Sequence, residues 1–233
     1  MAALVLQYQA IIILACVLKL KEKVMTKMAA TIREKIDPSH AAILVIDMQN
    51  DFCSANGAAS RRGIDIEAAR ALVPAIQRFV AKARKKRVKV VFIGTVRDEK
   101  DISPPMRELW ARRGWSAPVC VKGTWGAEFV PELRVTAGDL SIIKTRYSAF
   151  VNTELDTRLR QAKVSTVIVT GVATNVCVAS TCGDAFMHDY YVVIPEDLVT
   201  GDKKLHTASL DNLNSYYAEV TTSDRLLGIW DSG

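Results

Sequence analysis

The sequence lacks the paired cysteines and clustered histidines that mark most zinc sites. Among its 233 residues are three histidines, none in an HxxxH pattern, and five cysteines, none in a CxxC pattern. The chain therefore offers no metal signature, and we expect neither a metal nor any other cofactor. An odd number of cysteines without regular spacing also argues against a disulfide framework, so we expect a reducing, cytoplasmic location.

A long apolar run and a concentrated basic patch are missing as well. The stretch LVLQYQAIIILACVLK at residues 4–19 is interrupted by two glutamines, and a membrane-spanning helix needs about 20 apolar residues, so we expect no membrane association. The net charge of +6 is scattered along the chain. Its densest group, KARKKRVK at residues 82–89, is typical of the solvated end of an amphipathic helix, where cations face the helix dipole favourably. We therefore expect no nucleic-acid partner.

The N-terminal segment differs in character from the rest of the chain. We interpret residues 1–37 as a leader of uncertain role and residues 38–233 as one α/β domain. The leader lacks the basic start and the small-residue cleavage site of a secretory signal, which favours an appended or non-native segment. A membrane anchor or a targeting peptide is the alternative.

From residue 41 onward, apolar runs alternate with amphipathic stretches. Strands are predicted at 41–47, 88–95, 140–144, 164–169, 190–195 and 218–221. Helices are predicted at 65–86, 152–162 and 202–217, with another beginning near Cys177. This alternation predicts a doubly wound, mostly parallel sheet of about six strands with helices on both faces. Prolines and glycines interrupt residues 97–138, which we interpret as an irregular lid or pocket wall.

Three chemically unusual residues follow separate predicted strands. Asp47 ends ILVID, Lys144 ends LSIIK, and Cys177 comes shortly after the strand that leads to Gly171. Singly, they are typical of a helix cap, a solvated cation and a small buried hydrophobe. Because parallel strands end at one edge of a sheet, together they favour a nucleophilic site. A nearby cation or a helix N-terminus would lower the pKa of the thiol, and Asp47 would carry a proton to the leaving group.

Three motifs in order give the chain a resemblance to the isochorismatase-like cysteine hydrolases, which include nicotinamidases, N-carbamoylsarcosine amidases, biuret hydrolases and ureidoacrylate amidohydrolases. They are VIDMQNDFC (45–53), KTRYSAF (144–150) and GVATNVCVAST (171–181), within a resemblance that covers about residues 40–228. The resemblance implies that Asp47 is the acid and base, Lys144 the cation of a triad, and Cys177 the nucleophile. It also implies a cis peptide between Val172 and Ala173, with the amides of Ala173 and Cys177 forming an oxyanion hole.

Within the superfamily the chain looks most like the ureidoacrylate amidohydrolase branch. The stretch GTVRDEKD lacks the D-x-H pattern through which many nicotinamidases hold a metal. The resemblance implies a homo-oligomer that hydrolyses a small ureido or carbamoyl amide through a covalent intermediate. Phe52, Trp125 and Tyr147 would then line the pocket or simply pack in the core, and Gln49 would bind substrate or hold the Asp47 loop. The alternatives are a nicotinamidase, an isochorismatase, or a catalytically silent binding module.

Overall fold

The computed structural model describes residues 30–115 and 119–232. The chain divides into two units, residues 1–35 and 36–233. The predicted leader, residues 1–37, lies for the most part outside the described residues, and its role stays a prediction. The first unit contains helix α1 (Ile32–Lys35). The Thr31 hydroxyl accepts a hydrogen bond from the Glu34 amide, and the Glu34 carboxylate accepts one from the Thr31 amide, which together form a capping box at the start of this helix.

The second unit is built on a sheet of seven parallel strands. The strands are β1 (Ala41–Ile46), β2 (Lys89–Thr95), β3 (Leu140–Lys144), β4 (Thr166–Val172), β5 (Tyr191–Pro195), β6 (Val199–Thr200) and β7 (Glu219–Thr221). Their order is β3-β2-β1-β4-β5-β7, and β6 pairs with β4 beyond the end of β5. The predicted doubly wound parallel fold is confirmed. The additional strand, β6, was missed because two residues are too few to show any periodicity.

The two central strands are covered on both faces. Every residue of β1 and of β4 is buried. A strand buried on both faces has no solvated side to carry polar residues, so its sequence is a continuous apolar run. The apolar segments ILVI and VSTVIV therefore contribute to the two buried central strands, β1 and β4.

Helices flank the sheet on both sides. The other α-helices of the described residues are α2 (Asn50–Cys53), α3 (Ala58–Arg61), α4 (Glu67–Lys85), α5 (Pro104–Arg112), α6 (Leu155–Gln161), α7 (Ala179–Met187), α8 (His206–Tyr216) and α9 (Ser223–Asp231). On one face, α6, α7 and α8 contribute apolar side chains to the core formed with β1 to β5. On the other face α4 packs against the sheet and against α9, where the rings of Phe79 and Trp230 lie 5.5 Å apart.

The segment at 97–138 is more regular than the sequence predicted. It contains α5 and a 3-10 turn at Trp125–Ala127. Pro104 and Pro105 occupy the first turn of α5, where a missing N–H costs no hydrogen bond, so these prolines begin a helix. Across the described ranges 30–115 and 119–232, no helix is long and apolar enough to cross a membrane.

Candidate active site

At the carboxyl edge of the sheet, each of three neighbouring strands ends at a polar residue. Asp47 directly follows β1, Thr95 ends β2 and Lys144 ends β3. The register pairs Ile46 with Ile93 and Thr95 with Lys144, so these strand ends lie level with one another. Asp47 has a positive φ of 54°, which is uncommon for a residue with a side chain and marks the sharp exit from β1.

The ammonium group of Lys144 connects the residues at this edge. Its Nζ donates to Asp47 Oδ2 at 2.9 Å and to Thr95 Oγ1 at 2.8 Å, and it lies 3.4 Å from Cys177 Sγ. The Thr95 hydroxyl in turn donates to Asp47 Oδ1 at 3.0 Å. The three residues predicted from separate strand ends therefore converge on one nitrogen atom, with Thr95 between two of them.

Water is almost excluded from this group of residues. Asp47 and Lys144 are each 1% exposed. Burial acts to lower the pKa of Lys144, but the charge of the Asp47 carboxylate, the neighbouring Cys177 sulfur and the hydrogen bond to Asp47 together outweigh burial and raise that pKa above its usual value. Because a buried ion pair is retained only when its partners are close and hydrogen-bonded, the geometry keeps Lys144 charged beside the carboxylate.

The thiol of Cys177 is held in its neutral form. Cys177 lies in a π-helical turn, Thr174–Val178, that precedes α7. Burial, together with the charge of Asp47, raises the pKa of Cys177 to about 12, although Lys144 acts to lower it. The sequence predicted a thiolate favoured by a helix start and a cation. The structure differs, because burial of the sulfur opposes ionisation more strongly than the cation favours it.

The turn between β4 and Cys177 has an unusual backbone. Gly171 has φ of +106°, and a Cβ atom there would overlap the carbonyl oxygen of Ile46 on β1. Only glycine fits where two strands approach so closely. The peptide bond between Val172 and Ala173 is cis. In the part of the chain that the structure describes, the Ala173 N–H donates to no acceptor, which leaves it available at the carboxyl edge.

Gln49 is fully buried, and its side-chain amide is hydrogen-bonded to backbone groups. Its Nε2 donates to the carbonyl oxygens of Thr95 and Ala127, and its Oε1 accepts the Thr95 N–H at 2.8 Å. Since each polar atom of the amide has a protein partner, the contacts favour the alternative in which Gln49 holds the Asp47 loop.

The three aromatic residues predicted for the pocket lie in different environments. Phe52 packs partly buried against Val119 and Cys120, and Tyr147 packs against the main core. Trp125 is 48% exposed and lines a cavity of about 750 Å³ beside α2 and α4. None of Asp47, Lys144 and Cys177 lines that cavity. Tyr147 therefore lies against the core cluster that contains Cys177, Trp125 lines a separate cavity, and the role of the three aromatic residues as pocket walls stays a prediction.

Thr95 is the member of this group that the sequence reasoning missed. It is 1% exposed, and its hydroxyl accepts from Lys144 and donates to Asp47. A threonine at the end of a strand carries no distinctive signal, because that residue type is common in strands. The sequence offered one hint, because Thr95 follows the apolar run VVFIG and the ends of parallel strands lie at one edge of the sheet.

Within 30–115 and 119–232, no group of three or more histidine, cysteine, aspartate or glutamate side chains is placed to hold a metal ion. The stretch after β2, where the D-x-H pattern is missing from the sequence, carries Arg97 and Asp98. The expectation that the protein works without a cofactor stays a prediction that chelation tests directly.

A parallel α/β sheet with a carboxylate, an ammonium and a thiol gathered at its carboxyl edge is the arrangement of an α/β enzyme, since that edge is where such sheets bind ligands. Residues 41–225 match the model of the isochorismatase domain family. The chain belongs to the isochorismatase family.

Similar proteins refine this assignment. The chain is 34% identical over 200 residues to the ureidoacrylate amidohydrolase RutB of Variovorax paradoxus, which covers 80% of this chain and 79% of that relative. A cysteine hydrolase from Pseudomonas syringae pv. phaseolicola superposes with a TM-score of 0.76 at 27% identity, covering 88% of this chain and 99% of the other. The N-carbamoylsarcosine amidase of Thermoplasma acidophilum superposes with a TM-score of 0.67 at 28% identity, covering 79% and 97%. The chain is an amidohydrolase of this family, a hydrolase acting on C–N bonds.

Proposed function

We propose that the protein is a cysteine-dependent amidohydrolase that cleaves a C–N bond of a small ureido or carbamoyl compound, such as ureidoacrylate, through a covalent intermediate on Cys177. The observation that carries the proposal is the position of Lys144 Nζ, which lies 2.9 Å from the Asp47 carboxylate and 3.4 Å from the Cys177 sulfur. A cation that lies beside both the base and the nucleophile stabilises the negative charge as it moves from the carboxylate to the sulfur during attack.

The resting state holds a neutral thiol beside a carboxylate, and this defines the first step. Because the pKa of Cys177 is raised to about 12, the thiol must lose its proton during attack, and Asp47 is the base placed to accept it. The sulfur then forms a bond to the substrate carbonyl carbon. Lys144 stays charged and keeps both groups in place.

Negative charge develops on the substrate oxygen as the tetrahedral intermediate forms. The amides of Ala173 and Cys177 are the proposed donors to this oxygen, and the unpaired Ala173 N–H supports that role. Protonated Asp47 then gives its proton to the departing nitrogen as the C–N bond breaks. Water next attacks the carbonyl carbon of the S-carbamoyl intermediate with Asp47 as base. The C–S bond breaks, the carbamic acid product leaves, and Asp47 returns the proton to the sulfur.

Two further expectations from the sequence belong to this proposal. Cys53, Cys120, Cys177 and Cys182 are free thiols, which fits the reducing, cytoplasmic setting that we expect. The homo-oligomer stays a prediction, and gel filtration with light scattering tests it.

A substrate panel tests the proposed function. It compares ureidoacrylate, biuret, N-carbamoyl amino acids and nicotinamide by ammonia release, and isochorismate by pyruvate release. We expect the ureido and carbamoyl compounds to be the best substrates and Cys177→Ala to abolish their turnover, since no covalent intermediate can then form. Turnover that survives in Cys177→Ala would refute the nucleophile, and preference for nicotinamide would favour the nicotinamidase alternative.

Cys182→Ala is the matched control for this panel. Cys182 is fully buried where Cys177 is 9% exposed, belongs to α7 and packs in the same apolar core, and burial raises its pKa as well. Its thiol has no contact with Lys144, so its loss should leave turnover near the wild-type rate. Mass spectrometry of rapidly quenched reactions should find an acyl group on the peptide that contains Cys177.

A further inference from the structure

The π-helical turn that precedes α7 is hydrogen-bonded to a neighbouring loop through two of its side chains. Thr174, which directly follows Ala173, is fully buried, and its Oγ1 lies 2.9 Å from Nδ1 of His206, the first residue of α8. Asn175 Oδ1 accepts the Asp202 N–H at 3.0 Å. The turn is therefore attached both to the loop that precedes α8 and to the start of that helix.

The chain between β6 and α8 lies close against this turn. β6 pairs in parallel with the last two residues of β4, which lead into the turn. The next residue, Gly201, approaches so closely that a Cβ atom there would overlap Asn175 Oδ1 and lie 2.9 Å from the Thr174 nitrogen. Such a close approach of two backbones requires glycine. The segment therefore limits how far the turn can move.

The two amides proposed to hold the substrate oxygen lie on either side of Thr174. Ala173 precedes it, and Cys177 follows it by three residues in the same turn. The Ala173 carbonyl oxygen accepts hydrogen bonds from two amides later in the turn, at 2.9 and 3.2 Å. These bonds and the contact of the Thr174 side chain hold the peptide between Ala173 and Thr174 from both ends. A rotation of Thr174 would therefore turn the neighbouring amides away from the substrate.

We infer that His206 is a positioning residue for hydrolysis, because its bond to the Thr174 hydroxyl keeps the amides of Ala173 and Cys177 directed at the substrate oxygen. This inference rests on the proposed function, in which those amides stabilise the oxyanion. Donors that are held in advance stabilise charge that develops in the transition state, and misaligned donors lose that effect. The carbonyl oxygen carries no full charge before attack, so loss of the His206 contact should lower kcat and change KM little.

Two replacements of similar shape separate the hydrogen bond from the volume of the side chain. In His206→Asn, an amide atom takes the position of Nδ1 and can donate to the Thr174 hydroxyl or accept from it. In His206→Leu, a methyl group takes that position. We expect His206→Leu to lower kcat for the best panel substrate about tenfold, with KM within about threefold, since removal of a whole oxyanion donor costs about 100- to 1000-fold. His206→Asn should keep kcat near the wild-type value.

Thr174→Val removes the other partner of this bond and completes a double-mutant cycle. Alone, it should lower kcat about as much as His206→Leu. If the effect of His206 passes through the Thr174 hydroxyl, the double variant should be no more than about twofold slower than either single variant.

His40→Leu is the matched control. His40 Nδ1 also lies 3.0 Å from a hydroxyl, that of Ser165, but these two residues precede β1 and β4 at the amino edge of the same sheet. Loss of this contact removes the same kind of hydrogen bond far from the turn. Both kcat and KM should therefore stay near the wild-type values.

A measurement without substrate reports the orientation of the two amides directly. The backbone amide signals of Ala173 and Cys177 are compared by NMR in isotope-labelled protein. Because His206→Asn and His206→Leu both remove the imidazole ring, a difference between their spectra reports the hydrogen bond. We expect these two signals to move from their wild-type positions further in His206→Leu than in His206→Asn, and to stay unchanged in His40→Leu.

The outcomes separate this inference from the proposed function. If His206→Asn loses as much kcat as His206→Leu, if neither loses any, or if the losses in the cycle multiply, the positioning role is overturned while the amidohydrolase proposal stands. A raised KM with unchanged kcat would assign His206 to substrate binding and also overturn it. If the wild type hydrolyses no ureide, the proposed function fails, and the amide signals then decide whether His206 orients the turn. Should one of His206→Leu and Thr174→Val not fold, the other decides, judged against His40→Leu.

Discussion

Removing one hydroxyl group measures how much the contacts around Lys144 contribute to stability and activity. Thr95→Val keeps the shape of the side chain and removes the oxygen that lies 2.8 Å from Lys144 Nζ and 3.0 Å from Asp47 Oδ1. A hydrogen bond to a charged group contributes about 1.5 to 3 kcal/mol. Because both bonds share one oxygen, we expect the free energy of unfolding to fall by about 2 to 3 kcal/mol.

Thr166→Val is the matched comparison, with the opposite expected sign. Thr166 begins β4 at the other edge of the sheet, is fully buried, and its hydroxyl has no hydrogen-bond partner within the described residues. A buried hydroxyl without a partner is destabilising, so replacing it with a methyl group should leave stability unchanged or raise it by about 1 kcal/mol. The two variants make the same chemical change in buried strand residues.

Urea unfolding and turnover of the best panel substrate provide the assay. For a chain of this size, a change of 2 to 3 kcal/mol shifts the urea midpoint by about 1 M. Thr95→Val should also lower kcat about tenfold. We expect the misplacement of Lys144 and Asp47 to raise the activation free energy by about 1.4 kcal/mol, which corresponds to a tenfold slower reaction. If Thr95→Val is as stable and active as the wild type, or if Thr166→Val loses as much stability, the bridging role of the Thr95 hydroxyl is refuted.

Three other predictions follow from the sequence and the site. Prolonged chelation should leave turnover intact, since the D-x-H pattern is missing; activity that is lost and then restored by zinc, manganese or iron would contradict this. A chain that begins at Met28 should fold and keep full activity, as judged by circular dichroism and turnover, whereas aggregation of this shorter chain alone would make the leader part of the fold. Burial raises the pKa of Cys53 and Cys177 to about 12 from an ordinary 9.0, so the unfolded chain releases these protons first. The contribution of these two thiols to the free energy of unfolding should therefore be constant below about pH 9 and be lost from there to about pH 12, which urea unfolding at pH 8 and pH 10 under reducing conditions checks.

The placement of Asp47, Lys144 and Cys177 at the carboxyl edge of the sheet was predictable, because the end of an apolar strand can be recognised in a sequence. A continuous apolar run stops at a polar residue, and parallel pairing places all such stops at one edge. No contact between the residues needed to be known. The convergence on Lys144 Nζ is the geometric result of two strand ends and of the short turn that carries Cys177 beyond a third strand.

The contacts of Thr95 and Arg97 were not predictable in the same way. Whether a threonine hydroxyl meets a lysine depends on the register between β2 and β3, and a slip of one residue would turn it to the other face. Arg97 donates through Nε to the carbonyl oxygen of Thr145, which likewise depends on how β2 lies beside β3. Neither contact has a signal in spacing.

The protonation state of Cys177 shows a third limit. A cysteine close to a helix start and a lysine suggests a lowered pKa, because both features are visible along the chain. Burial of the sulfur acts in the opposite direction and is set by packing around the turn at Thr174–Val178. The sequence therefore indicated the cation beside Cys177 but not the burial that opposes ionisation of the thiol.

Lys144 lies on β3, which is the outermost strand on its side of the sheet and pairs within the described chain with β2 alone. Terminal strands open locally more easily than central ones, because fewer hydrogen bonds and contacts hold them. Detachment of the last residues of β3 would withdraw the ammonium group from Asp47 and Cys177 while the central strands stay folded. Hydrolysis should therefore stop at a lower urea concentration than the one that melts the core. Amide hydrogens of Ile142 and Lys144 should likewise exchange with solvent before those of Leu44 and Val169.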